Sequence, residues 1–206
     1  MTTYHSYDPR EGHRLPHSPI KAIIAPRPIG WISTLGPDGI ANLAPYSFFN
    51  IVCEKPPVLL FSSEGRKDTI RNIEARGEFV FNLATRKLAK AMNITSTNWP
   101  SDVDEFERSG LSKLTSEAVA APRVAGSPAA MECKLLDIRR IVDLDGRATD
   151  AEIVIGQAVR IHIRQDALIE GKFNVTKAGT IARAGYRADY VAVTETFEIL
   201  RPAVVR

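Results

Sequence analysis

Several things are scarce in this 206-residue chain, and each shortage excludes a class of protein. Cysteine occurs twice, at Cys53 and Cys133, too seldom for a disulfide framework and without metal-ligand spacing. A reducing compartment, the cytoplasm, is therefore expected. No apolar run approaches the roughly 20 residues that span a bilayer, and no N-terminal apolar stretch resembles a signal peptide, so no membrane role is expected. Charge of one sign is also lacking: 27 basic against 24 acidic residues leave a net charge of +3 with no long basic run, which argues against nucleic acid and for a small anionic ligand. Of four histidines, His5, His13 and His17 sit in a polar N-terminal stretch without ligand spacing, and no metal site is expected. The spacing GxxxxGK[ST] is absent. Ser33, Ser47 and Ser62 lack a nucleophile-elbow context, which disfavours a serine hydrolase. Asp102, Asp104 and Glu105 read as a helix start and not as a glycosidase pair.

The chain does have ample apolar material, 44% of its residues, arranged mostly with a period of two. Residues 1–19 show neither period and are read as an arm, leaving 20–206 as one domain. Strands are expected at 29–35, 40–52, 56–63, 78–84, 130–142, 151–165 and 190–200, with tight turns at Asp38-Gly39 and Asp145-Gly146. Helices are expected only between strands: one from a cap at Asp68 to about Arg76, closed by Gly77; a second capped by Thr85 and running through Met92; and a short one from a capping box at Asp102 and Glu105 to about Gly110. Residues 93–128, rich in Gly, Pro and Ser, read as an excursion over the sheet. Antiparallel strands with scattered short helices cannot form a doubly wound parallel sheet, and a closed or split β-barrel fits instead.

Two constellations carry chemistry. Ser62, Ser63, Gly65, Arg66, Lys67, Asp68 and Thr69 lie where a strand ends and a helix begins, so a phosphate there would meet free helix N–H groups, hydroxyls and a cation. A solvated, well-capped helix start is the bland alternative. Ser33-Thr34 and Tyr46-Ser47-Phe48 lie on neighbouring strands, where hydroxyls and an aromatic face suit a flat ring. Trp31, Tyr46, Phe48 and Phe49 would equally serve as barrel core. His162 shares a polar strand face with Arg160 and Arg164, opposite Val159, Ile161 and Ile163, and is either solvated or an acid–base candidate.

The ordered motifs PRPIGWISTLGPDGIANLAPYSFFN, KDTIRNI, EFVFNLA, IGQAVRIHI and ARAGYRADY resemble those of the flavin reductase-like, FMN-binding split-barrel family, which includes reductase partners of two-component monooxygenases. The resemblance, over about residues 26–190, implies an antiparallel Greek-key split β-barrel, FMN as cofactor, and a homodimer with flavin sites at the subunit interface. It implies that Ser33 and Thr34 lie beside the flavin ring or ribityl chain, that Tyr46, Ser47 and Phe48 contact the cofactor, and that Ser62, Ser63, Lys67 and Thr69 hold its phosphate. His162 would lie towards the nicotinamide, and Arg183 opens a closing element, Arg183-Ala184-Gly185-Tyr186, that departs from the more usual Arg-Leu-Gly-Gly. The implied activity is hydride transfer from NADH or NADPH to flavin, with electrons passed to a free flavin, a partner monooxygenase, a metal complex or oxygen. A flavin-binding module without reductase turnover and a nonenzymatic protein-binding barrel are the competing readings.

Overall fold

The computed structural model describes residues 2–202; residue 1 of the arm and residues 203–206 of the domain expected from sequence lie outside the described residues. Seven strands form the main sheet: β1 (Gly30–Leu35), β2 (Ala41–Tyr46), β3 (Phe49–Glu54), β4 (Pro57–Glu64), β5 (Glu78–Leu83), β6 (Ala129–Val142) and β7 (Ala148–Ile163). Their order is β2-β1-β5-β6-β7-β4-β3, with every pair antiparallel. β5 returns beside β1, and β7 beside β4, which is Greek-key connectivity. The two edges are β2 and β3, consecutive in sequence yet unpaired with each other. Ser47 and Phe48 carry the chain across this gap, so the barrel is split there. The single strand expected over 40–52 is thus two strands.

Strand alternation divides the core. Ile32, Leu59, Phe61, Phe79, Phe81, Cys133 and Val154 fill the barrel interior. Trp31, Leu43, Met92, Phe106 and Val124 form a second cluster between the outer face of β1, β2 and β5 and the excursion. Trp31 donates from Nε1 to Thr95 Oγ1 at 3.0 Å, tying the excursion to the sheet. Tyr46 and Phe49 take core positions as well, with Tyr46 against Phe61 at 4.7 Å between ring centroids and Phe49 stacked on Phe81 at 4.9 Å.

Among the described residues four short α-helices accompany the sheet: α1 (Ile20–Ile23), α2 (Asp68–Arg76), α3 (Ala89–Ile94) and α4 (Glu105–Arg108). α2 begins where expected, although Lys67 and not Asp68 occupies its cap and contributes no side-chain bond. Its buried face carries Ile70 and Ile73, each fully buried and worth about 1.5–3 kcal/mol of apolar transfer. At its end Gly77 has φ 68° and donates its N–H to the Ile73 carbonyl, a left-handed closure that suits glycine. Thr85 accepts from Leu88 N at 3.4 Å in a turn that precedes α3, so that helix starts later than the sequence suggests. The box expected between Asp102 and Glu105 does not form, because Asp104 caps α4 by accepting from Phe106 N and Glu107 N. Glu105 turns instead to the Leu43 N–H at 3.1 Å.

The last expected strand, 190–200, is confined to Tyr190–Ala192, which pairs with Ile181–Arg183, itself paired with Arg27–Pro28. Beyond it Phe197, Ile199 and Leu200 are exposed. A period of two marks strand-forming side chains, but a strand also needs a neighbour to accept its ladder, and this segment has none among the described residues. No helix among the described residues is long and apolar enough to cross a membrane.

Candidate functional site

The split between β2 and β3 and the junction of β4 with α2 open onto one side of the molecule. There Lys67 holds an extended conformation before α2, and its carbonyl accepts from Ile70 N and Arg71 N at 3.0 and 3.1 Å. The Asp68 and Thr69 N–H groups find no backbone acceptor among the described residues, and they lie at the positive end of a nine-residue helix. Arg66 is committed to Glu74 and Glu152, and Arg71 to Asp68. Lys67 takes no carboxylate among the described residues and is the cation left for a ligand.

These residues line a cleft of about 370 Å³ that also includes Pro45, Tyr46, Ser96 and Trp99. Thr69 is buried at one wall, and its Oγ1 accepts from Asn42 Nδ2 at 2.9 Å, which leaves its hydroxyl proton available. The Tyr46 hydroxyl is buried at the cleft wall beside the Thr69 and Ser63 hydroxyls, without a well-formed hydrogen bond among the described residues. Burial raises the phenol's pKa and keeps it a donor. Glu105 lines the same cleft, and burial pushes its carboxyl up to about 7 against the Leu43 N–H, with Asp68 and Asp104 adding to the rise.

A second cleft of about 500 Å³ shares Pro45 and Ser96 with the first and continues along Ile29, Ser47, Asn93, Arg183 and Tyr190. The guanidinium of Arg183 stands 4.5 Å over the Tyr190 ring. A cationic, donor-rich end and an end of mixed polarity meet along a common wall. Such a pair of clefts suits an elongated ligand with an anionic group at one end and a less polar group at the other.

The structure therefore brings Tyr46, Ser47, Lys67, Thr69 and Arg183 to two adjoining clefts. Other expected residues lie elsewhere. Ser33 is fully buried, donating to the Pro122 carbonyl at 2.5 Å and accepting from Asn82 Nδ2. Thr34 accepts from Asn42 and Asn72 inside the barrel. Ser63 is buried and spends its hydroxyl on the Gly65 carbonyl, whereas Ser62, next along the strand, is half-buried and outside the cleft. Phe48 faces a third cavity, between the cations Lys21 and Arg27.

His162 is neither solvated nor at these clefts in its own chain. Its Nε2 lies 2.6 Å from Glu132 Oε1, and it borders a separate cavity lined by Arg123, Ser127 and Arg164. Glu132 is fully buried; burial alone would raise its carboxyl, but the Glu117 N–H, the His162 ring and the Ala118 N–H outweigh it and hold the pKa below the ordinary value. Asn93, residues 95–99 and Glu105 were missed as cleft walls in the sequence. The signal available was the length of the excursion, since a long connection over a sheet edge is where site residues gather.

Comparison with known proteins agrees with this architecture. The model of the flavin reductase like domain matches residues 24–177. An uncharacterized protein of Aquifex aeolicus is 37% identical over 173 residues, covering 81% of this chain and 84% of the relative. Nitrilotriacetate monooxygenase component B from Bacillus cereus superposes with a TM-score of 0.87 at 29% identity, covering 97% of this chain and all (100%) of that one. A Shewanella frigidimarina protein with a split barrel domain, 23% identical, has the same fold at a TM-score of 0.79, covering 89% of this chain and 90% of that one. The chain belongs to the flavin reductase-like domain family.

Proposed function

We propose that the protein is an FMN-binding oxidoreductase of the flavin reductase type, taking electrons from NADH or NADPH and passing them to an acceptor. The observation that supports it most is the adjoining pair of clefts, with Lys67 and the α2 N-terminus at one end and Arg183 and Tyr190 at the other. A flavin held there would supply the two-electron chemistry, accepting a hydride from the nicotinamide and releasing electrons onward. In this reading Lys67 neutralises the phosphate, and the Thr69 hydroxyl and first-turn N–H groups donate to it. Tyr46 backs the wall from inside the barrel, and Pro45, Ser47 and Tyr190 would hold the ring. Arg183 supplies positive charge near the ring's edge, which favours developing negative charge there. Ser33, Thr34 and Ser63 hold the walls through the bonds already described, and Ser62 and Phe48 stand outside the binding set.

The homodimer belongs to the same proposal. Val159, Ile161 and Ile163 on β7, and Ile51 and Val52 on β3, are each about half exposed, which leaves apolar strand faces that a second copy would cover. A partner oxygenase is a fitting acceptor, as the Bacillus cereus relative is itself a monooxygenase component. His162 enters this reading through the strand pair it braces, and a contact with the nicotinamide would have to come across a subunit interface. Anaerobic mixing of the FMN-loaded protein with NADH and with NADPH tests the proposal: bleaching at 450 nm is expected with at least one donor. Stable yellow protein with both donors would leave a flavin-binding module, and failure to retain FMN would refute the cofactor.

A further inference from the structure

A third cavity, of about 590 Å³, adjoins the second cleft and shares Arg187 with it alone. Its walls come from three separated pieces of chain. Pro16 to Ile24 supply Lys21 and the apolar side of α1, Phe48 comes from the link across the split, and Gly185 to Arg187 close the other side. That closure is tight, because a Cβ built on Gly185 would stand 2.4 Å from Ala22 Cβ, so the loop rests directly on α1. The aromatic surfaces are Phe48 and Tyr186, the latter with its ring edge against His17.

The charges on this cavity are of one sign. Lys21 and Arg27 stand 5.6 and 6.0 Å from the Phe48 ring centre, and Arg187 faces them. None of the three makes an ion pair among the described residues. Arg27 is 7% exposed, donates to the carbonyls of Lys21, Ile24 and Ala184, and has a buried Nε with no acceptor. Burial, with the nearby Arg183 charge, lowers its pKa, so an anion arriving there would relieve an existing cost.

We propose that this cavity is a second ligand site, distinct from the two adjoining clefts, and that it binds a planar organic anion, an aromatic ring bearing a carboxylate. The ring stacks between Phe48 and Tyr186, and the carboxylate answers Lys21, Arg27 and Arg187. A volume of this size is ordinary for a small-molecule site, and cation–π pairs already orient Phe48 for the purpose. The inference stands on the cation cluster and does not need the clefts to hold FMN.

Calorimetric titration of the full-length protein, free of flavin and again at saturating riboflavin, tests it with 4-hydroxybenzoate as probe. Binding is expected in both conditions. It should weaken about 10-fold or more for the neutral isostere 4-hydroxybenzamide, for acetate, which lacks the ring, and for the exposed-site variants Lys21→Gln and Arg187→Gln. Tyr186→Gly should weaken 4-hydroxybenzoate and leave riboflavin binding unchanged, which separates this site from the flavin reading. Equal affinity for benzoate and benzamide, unchanged binding in both charge variants, or displacement of the probe by riboflavin, NADH or NADPH would each overturn the proposal.

Discussion

At the scale of single residues, Glu105 and Lys67 set the electrostatics of the cleft. Glu105 is an acid whose folded-state pKa is raised from 4.5 to about 7, so the folded chain holds its proton more tightly than the unfolded one. Its contribution is fully present below pH 4.5 and is lost as pH rises through about 7. Each unit is worth about 1.4 kcal/mol, so the ionised form costs roughly 3 kcal/mol by pH 8. Glu105→Gln should therefore raise the thermal midpoint at pH 8 and flatten the decline between pH 5 and 8; an unchanged pH profile would assign that titration to other groups. Lys67→Ala should weaken FMN by about 10- to 150-fold, the worth of a charged hydrogen bond, and leave riboflavin nearly unaffected. Fluorescence titration of both ligands measures the difference, and equal losses would mean that Lys67 acts through general charge or folding.

At the scale of elements, the pairing of β6 with β7 is braced by the contact between His162 and the buried Glu132. His162→Ala removes the Glu132 partner and should cost about 1.5–3 kcal/mol in urea unfolding, with His162→Gln recovering part of it. No loss would show that the backbone donors alone satisfy Glu132. The strands themselves were legible in the sequence because alternation and turn residues agree: Asp38-Gly39 and Asp145-Gly146 sit where β1–β2 and β6–β7 reverse. So was α2, whose closing glycine and apolar spacing have local causes. The break at Ser47-Phe48 was not legible, since Pro45 and Asn50 fit a bulge within one strand as well as a link between two, and nothing local says that the two halves belong to opposite edges. The segment after Ala192 misled for a related reason, because its alternation is real but a strand is a property of two segments. At the candidate site, Lys67 and Thr69 follow from a local strand-to-helix junction and were readable. Ser33 and Thr34 were read from type and spacing, and the partners that consume their hydroxyls, Pro122, Asn82, Asn42 and Asn72, are distant in sequence. The Lys21, Arg27 and Arg187 cluster was invisible for the same reason, being assembled by tertiary contact between the start and the end of the domain.

At the scale of the whole molecule, the proposed ligand would sit where two sheet edges fail to meet, so that binding and stability would be linked. Occupancy at about 100 times the dissociation constant would add roughly 2.7 kcal/mol to apparent stability. The thermal midpoint should rise with FMN, and light scattering should give a dimer through the exposed faces of β3 and β7. Ile161→Glu should shift that mass towards the monomer, and a monomeric wild type with an FMN-independent midpoint would reject both expectations. The central claim, that this chain carries electrons from a nicotinamide through a flavin held at the split, is tested most directly by anaerobic stopped-flow absorbance of the FMN-loaded protein. Rapid loss of the 450 nm band on mixing with NADH or NADPH is the predicted result. Protein that keeps its flavin and its yellow colour through prolonged exposure to both donors would contradict the account.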